Sequence, residues 1–130
     1  MVAHYVAKNF TDRLMDTKLL QSGLDENDVP SKSKMAFEQA LMAIDDELRC
    51  LPEVESGQDQ SGSTSVMTLL SRQHIVCANT GDSRAVLCRG GEAVALSHDH
   101  KPYHQSEKDR IEGAGSHVKF NRVNGRWPCA

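Results

Sequence analysis

Apolar residues in the first fifty positions recur at helical spacing. One stripe has a period of four residues and comprises Val2, Val6, Phe10 and Leu14, widened by Ala3 and Ala7. A second stripe has spacings of four, three and four residues and comprises Phe37, Leu41, Ile44 and Leu48. Side chains at these spacings share one face of an α-helix. The pattern predicts one helix from the start to about residue 19 or 20 and another over about 32–49, with a loop near 21–33 between them.

The apolar pattern changes character after residue 60. Four short runs rich in apolar and β-branched residues lie between positions 61 and 96, bounded by Gly, Ser, Asn and Asp. Such runs predict four successive strands, arranged as a meander. Gly90-Gly91 suits a two-residue hairpin turn, because glycine accepts positive φ. Ile75–Ala78 is apolar at consecutive positions, which predicts a strand covered on both faces. The run ends at Asn79–Asp82 and places the Asp82 carboxylate on a tight turn.

The remaining segments, 51–60 and 97–130, are predicted to be loops together with a short helix and a strand. Residues 51–60 contain Pro, Gly and several acids, which predicts a mobile loop. Ser106 and Asp109 have the spacing of a capping box, which predicts the start of a short helix. Gly115 is placed to end that helix in a left-handed conformation. The fold class is therefore α/β, or α+β: a single domain over 1–130, with a helical layer (1–50), a loop (51–60), the strand meander (61–96), and a loop, short helix and strand (97–130).

The composition of the chain limits the classes of binding partner that we expect. The 130 residues carry a net charge of −3, which argues against general nucleic-acid or anionic-membrane binding. Residues 61–130 hold nine basic and six acidic side chains, which favours either phosphorylated ligands or an ordinary mixed surface. No apolar run approaches the roughly 18 residues of a membrane span. The four cysteines form no Cys-x-x-Cys pair, so a zinc site is not expected, and reduced thiols fit a cytoplasmic or nuclear protein.

Several polar groups admit both a chemical and a structural interpretation. Three adjacent acids at 45–47 on the second helix read most simply as a solvated face. Three histidines and an aspartate within 97–104 fit no closed zinc pattern. Asp82 is either a structural turn residue or an oxygen ligand for a hard cation. Arg84 either contacts a phosphate or packs on the surface, and the imidazole of His100 is a candidate general acid.

Five sequence blocks occur in a characteristic order over about half of the chain. They are Gly62–Thr64, Ala78–Ala85, Asp99–Pro102, Arg110-Ile111 with Ala114-Gly115, and Asn121–Gly125. This series resembles the metal-dependent (PPM, class 2C) Ser/Thr protein phosphatases. The resemblance implies part of an α-β-β-α sandwich, with antiparallel sheets flanked by helices. It also implies hydrolysis of phosphoserine and phosphothreonine in protein substrates, as part of signalling, at a binuclear Mg²⁺ or Mn²⁺ site.

The resemblance assigns roles to two residues. Asp82 matches the Gly-Asp-Ser-Arg acid of the family, which helps to hold an additional, weakly bound metal. Thr64 matches a threonine near the metal-bound water and is the implied catalytic residue. The best general acid of the family belongs to an Asp-Gly-His-Gly-Gly segment that is missing from these 130 residues, so that role is not transferred to His100. Substrate-binding residues remain unassigned.

The departures from the family pattern shape the functional hypotheses. The missing segment and two later blocks, Asp-Gly-x-Trp-Asp and Asp-Asn, would supply most metal ligands. We therefore expect a truncated phosphatase domain with weak or no activity by itself. One alternative is a non-catalytic regulatory or binding module on the same scaffold; another is an unrelated small α/β binding protein. A partial sandwich also predicts uncovered apolar faces and a tendency to associate.

Overall fold

A computed structural model of the chain describes residues 1–21 and 24–123. The described helices are α1 (Val2–Asp16), α2 (Val29–Arg49), α3 (Pro52–Glu55) and α4 (Gln105–Gly113), with a 3-10 turn at Glu26–Asp28. The described strands are β1 (Ser65–Leu70), β2 (Ile75–Thr80), β3 (Val86–Arg89), β4 (Glu92–Ala95), β5 (Val118–Lys119) and β6 (Arg122–Val123). Helices with small antiparallel sheets confirm the α/β class. The chain divides into two compact units, 1–78 and 79–130, and the boundary falls within β2.

The core of the first unit lies between α1 and α2. Its buried apolar side chains are Val2 from α1 and Val29, Ala36, Phe37, Ala40 and Ile44 from α2. Phe10 of α1 stacks on Phe37 with 6.0 Å between the ring centroids. Both predicted stripes therefore face this core. Leu41 and Leu48 of the second stripe are only half-buried.

A carboxylate also joins these two helices. Glu47 accepts a hydrogen bond of 2.8 Å from the Tyr5 hydroxyl and another from the Arg13 guanidinium. The Arg13 bond, followed by that of Tyr5, lowers the pKa of Glu47 below its usual value. The interpretation of 45–47 as a solvated acidic face was therefore wrong for Glu47. Its partners lie on α1, 34 and 42 residues away, which helical periodicity alone does not indicate.

Both helix boundaries differ from the predicted ones. α1 ends at Asp16, several residues early, because Lys18 adopts a positive φ of 57° that no α-helix accommodates. α2 begins at Val29, before the predicted residue 32. The 3-10 turn leads into it, and Pro30 stands in the first turn, where the missing N–H costs no hydrogen bond. The spacing of apolar residues predicts both helices, but the residues at which each helix begins and ends depend on backbone geometry.

The 3-10 turn also fastens the loop between β1 and β2. Glu26 accepts hydrogen bonds from the Ser71 hydroxyl at 2.7 Å and from the Arg72 amide at 3.3 Å. Nδ1 of His74 lies 3.4 Å from the same carboxylate. The Ser71 bond is the main reason that the pKa of Glu26 is lowered.

The four predicted strands are present, but their pairing differs from a continuous meander. Among the described residues, β1 pairs with β2 and β3 pairs with β4 in separate two-stranded sheets, and β5 with β6 forms a third. Gly90 and Gly91 connect β3 to β4 with φ values of 62° and 85°, which confirms the two-residue turn. The meander is interrupted after β2, because residues 81–85 form hydrogen bonds to residues 96–100 instead of extending the ladder.

Apolar side chains of the β1–β2 hairpin are exposed. Leu70 is 72% exposed and Ile75 is 44% exposed, while Val76, Cys77 and Ala78 are half-buried. The predicted coverage of this strand on both faces was therefore wrong. A two-stranded hairpin cannot cover a neighbouring strand on both sides, and the exposed side chains match the uncovered apolar faces expected of a partial sandwich.

The connecting segments contain more helix than predicted. The segment predicted as the 51–60 loop includes α3, which begins at Pro52. The capping box at Ser106 and Asp109 was wrong: α4 begins one residue earlier, and the Asp109 carboxylate accepts a bond of 2.6 Å from Gln105 instead. Gly115 has a φ of 81° just beyond the helix, which confirms the left-handed ending. None of the described helices has both the length and the apolarity that crossing a membrane requires.

Ser33 is a buried polar residue of α2, and its replacement tests how the helical core is packed. Its side chain is fully buried at 0% exposure, and its hydroxyl has no hydrogen-bond partner among the described residues. A buried polar atom without a partner costs about 1–3 kcal/mol. We expect Ser33→Ala to raise the free energy of unfolding by about 1 kcal/mol, since alanine also favours helix. Urea denaturation at pH 7 measures the change. Lower stability of the variant would show that the hydroxyl makes a favourable contact.

Candidate functional site

Thr64 lies in the first unit, directly before β1. It is exposed, and its carbonyl accepts a hydrogen bond of 2.9 Å from the Ser63 hydroxyl. Together with its neighbours at 63–67 it lines a cavity of about 350 Å³. The rest of the lining comes from α1 and comprises Ala3, Val6, Ala7, Phe10 and Thr11. Among the residues that the structure describes, the side chains lining this cavity are uncharged.

Asp82 lies in the second unit, on the turn that follows β2. Gly81 has a φ of 98°, a left-handed value that reverses the chain directly after the strand. The Asp82 side chain is exposed. The predicted position of this carboxylate, on a tight turn at the end of a strand, is what the structure shows. Thr64 and Asp82 belong to different compact units.

Hydrogen bonds fasten the Gly81 peptide to the segment that follows β4. The Gly81 carbonyl accepts bonds of 3.0 Å from the His100 amide and 3.0 Å from the Asn79 side chain. The Gly81 amide donates to Nδ1 of His100 at 3.3 Å, so the neutral ring carries its proton on Nε2. Asn79 Nδ2 also donates to the His98 carbonyl at 2.9 Å. The turn is therefore held by several bonds to residues 98–100.

Asp99 forms the strongest polar contact of this region. The Arg84 guanidinium donates two parallel hydrogen bonds of 2.9 and 2.8 Å to the Asp99 carboxylate. The Lys101 ammonium lies 3.3 Å from the same group. The carboxylate is only 6% exposed. The Arg84 bonds, with a smaller effect of Lys101, hold the pKa of Asp99 well below its usual range.

This ion pair is the part of the site that the sequence did not reveal. Arg84 had been weighed as a phosphate contact or as a packing residue, and its guanidinium is in fact engaged by Asp99. The two residues are 15 positions apart, so only the fold brings them together. The sequence carries one signal for this pair, because Arg84 and Asp99 both lie in the blocks that resemble the family.

Two histidines of the 97–104 segment contact backbone groups. Nδ1 of His100 accepts from Gly81, and Nδ1 of His104 lies 3.2 Å from the Asp99 carbonyl. Across residues 1–21 and 24–123, no cluster of three or more His, Cys, Asp or Glu side chains is arranged to hold a metal ion.

The donor set at the turn does not fit a complete magnesium or manganese centre. Asp82 offers one exposed carboxylate, which is a suitable oxygen ligand for a hard cation. The Gly81 carbonyl already accepts two hydrogen bonds, and Asp99 is committed to Arg84 and Lys101. The Asp82 charge contributes to the raised pKa of Lys101, after larger effects of Asp99 and Tyr103. Since Mg²⁺ takes about six oxygen ligands, the Asp82 carboxylate supplies only a small part of such a coordination shell.

Comparison with known proteins agrees with these features. The family model described as Protein phosphatase 2C matches residues 1–126. Protein phosphatase 1A of Bos taurus is 36% identical over 124 residues, which are 95% of this chain and 32% of the relative. Protein phosphatase 1B of Rattus norvegicus is 44% identical over 92 residues, 71% of this chain and 24% of the relative.

A third relative gives the same result. A probable protein phosphatase 2C of Caenorhabditis elegans is 46% identical over 92 residues, which are 71% of this chain and 25% of that protein. The chain thus spans between about a quarter and a third of the length of these relatives. The matched region includes the Asp82 turn and the Asp99 segment. The chain belongs to the protein phosphatase 2C family.

Proposed function

We propose that this chain serves metal-dependent hydrolysis of phosphoserine and phosphothreonine in proteins, with Mg²⁺ or Mn²⁺ as cofactor. The family membership supports the reaction class. The observation that carries the proposal is the Asp82 turn: an exposed carboxylate at the end of a strand, on a peptide fastened by hydrogen bonds to its neighbours. Two divalent cations would lower the pKa of a bound water and neutralise charge on the phosphoryl oxygens.

The resemblance to the family supports a role for each of two residues of this chain. Asp82 would contribute one oxygen ligand to a metal ion, and Thr64 would lie near the attacking water. The one carboxylate at the turn limits what these residues do alone, because a binuclear centre requires several bridging and terminal carboxylates. We therefore propose weak or no turnover by the 130-residue chain as such.

The turnover of a phosphothreonine peptide tests this proposal. The purified chain, Asp82→Asn and full-length protein phosphatase 1A are assayed in parallel with Mn²⁺, with and without a chelator. We expect less than about 1% of the rate of the full-length relative, since loss of metal-centred catalysis removes several kcal/mol of transition-state stabilisation. Robust turnover abolished by the chelator would contradict the weak activity while supporting the reaction. Turnover insensitive to chelator and to Asp82→Asn would contradict the metal-dependent mechanism.

A non-catalytic regulatory or binding module is the second candidate. Two observations favour this candidate. The donor set around Asp82 is incomplete, and the Asp82 charge contributes to the raised pKa of the Lys101 ammonium. Under this hypothesis the chain binds a phosphorylated protein without hydrolysing it. Fluorescence anisotropy distinguishes the two candidates: saturable binding of the phosphopeptide that Asp82→Asn leaves unchanged would favour the module.

We propose a cytoplasmic or nuclear location. The support is chemical, because the described cysteines Cys50, Cys77 and Cys88 are free thiols, which reducing compartments maintain. Imaging of the tagged chain in its own cells tests this, and accumulation in a secretory compartment would contradict it.

A further inference from the structure

The peptide that carries Asp82 has little conformational support of its own. Gly81 has no side chain to pack, and a Gly residue populates both signs of φ about equally. Asp82 itself is exposed, so its side chain buries no surface that would fix the turn. One local bond, from the Asn79 side chain to the Gly81 carbonyl, supports the turn, and the other bonds to the Gly81 peptide come from outside it.

That support comes from residues on both sides of Asp82. Gly81, one position before it, exchanges two hydrogen bonds with His100: the His100 amide donates to the Gly81 carbonyl, and the Gly81 amide donates to Nδ1. Arg84, two positions after it, donates both bonds of its fork to Asp99. Asp99 and His100 are adjacent in sequence. The segment 81–84, called the 81–84 arc below, is therefore hydrogen-bonded at both of its ends to one dipeptide.

Asp99 is the member of this arrangement whose energetics are strongest. A buried carboxylate that accepts two charge-assisted bonds in fork geometry exceeds an ordinary neutral hydrogen bond in strength. Its pKa is correspondingly depressed, with Arg84 as the largest cause. Its backbone carbonyl also contacts His104, which caps α4. The dipeptide is thus fixed from its side chain and from its main chain.

We propose that Asp99 is a positioning residue for Asp82: its ion pair with Arg84 locks the 81–84 arc and holds the Asp82 carboxylate in one exposed orientation. The structural part of this inference depends on no metal. Its consequence for cation binding rests on the proposed function, in which Asp82 is a ligand. Asp99 acts through the turn and contacts no substrate.

Amide hydrogen exchange by NMR tests the structural part. Asp99→Asn keeps the size of the side chain and removes the charge, so we expect the Gly81 and His100 amides to exchange about tenfold faster or more. Arg84→Lys keeps the charge but loses the fork, and we expect an intermediate increase. Asp109→Asn is the matched control, because Asp109 is an exposed acid of the same unit whose partner is Gln105. Unchanged exchange at Gly81 in both Asp99→Asn and Arg84→Lys would overturn the proposal.

Paramagnetic broadening by Mn²⁺ tests the consequence for Asp82. In the unaltered chain we expect Mn²⁺ to broaden the amide signals of residues 81–83, and Asp82→Asn to abolish the effect. Asp99→Asn is expected to require several-fold more Mn²⁺ for the same broadening, while Asp109→Asn does not. Broadening that persists unchanged in Asp99→Asn would overturn the positioning role. Absence of broadening in the unaltered chain would instead contradict Asp82 as a ligand, and the exchange data would still decide the structural part.

Should Asp99→Asn unfold the second unit, Arg84→Lys decides the matter. Faster exchange confined to Gly81 and His100 in a spectrum that is otherwise unchanged supports the proposal. Equal acceleration at every amide of α4 and of the β3–β4 hairpin contradicts it, because a general loss of stability is not a positioning effect.

Discussion

Ile44→Ala is expected to lower the free energy of unfolding by about 3 kcal/mol, within the range of roughly 2–5 kcal/mol for such truncations. Ile44 is 2% exposed, one of the most completely buried side chains that the structure describes. It lies at the centre of the α2 stripe facing α1, so truncation leaves a cavity that the rigid helix pair cannot close. Domains of this size are stable by only about 5–15 kcal/mol, so the loss is a large share. Urea denaturation followed by circular dichroism measures it.

Met42→Ala is the matched control for Ile44→Ala. Met42 is on the same helix, two residues away, and its side chain is 62% exposed. We expect a change within about 0.5 kcal/mol, as for other exposed positions. Equal effects of the two substitutions would show that α2 does not bury its predicted face against α1 in solution.

Acidification is expected to destabilise the chain progressively between about pH 5 and pH 2. Hydrogen bonds lower the pKa values of five described carboxyl groups below those of the unfolded chain: Glu26, Glu47, Asp59, Asp99 and Glu107. A lowered pKa in the folded state stabilises the fold at pH values above the unfolded pKa. That contribution disappears as the pH falls through the folded pKa and the group takes up its proton. The urea midpoint should therefore be highest near neutral pH and fall on acidification.

Glu47→Gln isolates one of these contributions. At pH 7 the variant loses the charge that Tyr5 and Arg13 share across α1 and α2, so we expect it to be less stable than the unaltered chain. The difference should shrink as the pH falls through the lowered pKa of Glu47 and the carboxylate takes up its proton. Asp46→Asn, at the exposed neighbouring position, serves as the control. A difference that stays constant from pH 7 to pH 2 would show that Glu47 acts through packing and not through its charge.

Much of the local structure could be predicted because it depends on neighbours in sequence. The second apolar stripe places Phe37 and Ile44 on one helix face, and both are buried. The Gly90-Gly91 turn follows from the φ values that only glycine adopts easily. The Asp82 turn follows from the end of an apolar run. Each of these depends on spacings of a few residues, which are visible in a single sequence.

The errors concern features that depend on distant partners or on exact backbone geometry. Glu47 was read as a solvated acid because its partners, Tyr5 and Arg13, lie on another helix. Asp109 was read as a cap, although Gln105 on the same helix occupies it. The continuous meander was predicted from the order of the strands along the chain. Strand order does not determine which strands pair when the residues between β2 and β3 form their hydrogen bonds with another segment.

The sequence by itself therefore determined the helices, the strands, the family blocks and the position of Asp82 at a strand end, because short-range periodicity and turn chemistry suffice for these. Only the tertiary structure decided that Arg84 is engaged by Asp99 and that His100 forms hydrogen bonds with the Gly81 peptide. Residues 15 to 19 positions apart meet there through the return of the chain after the β3–β4 hairpin. No local pattern encodes that meeting, since the contacts exist only once the chain has folded back.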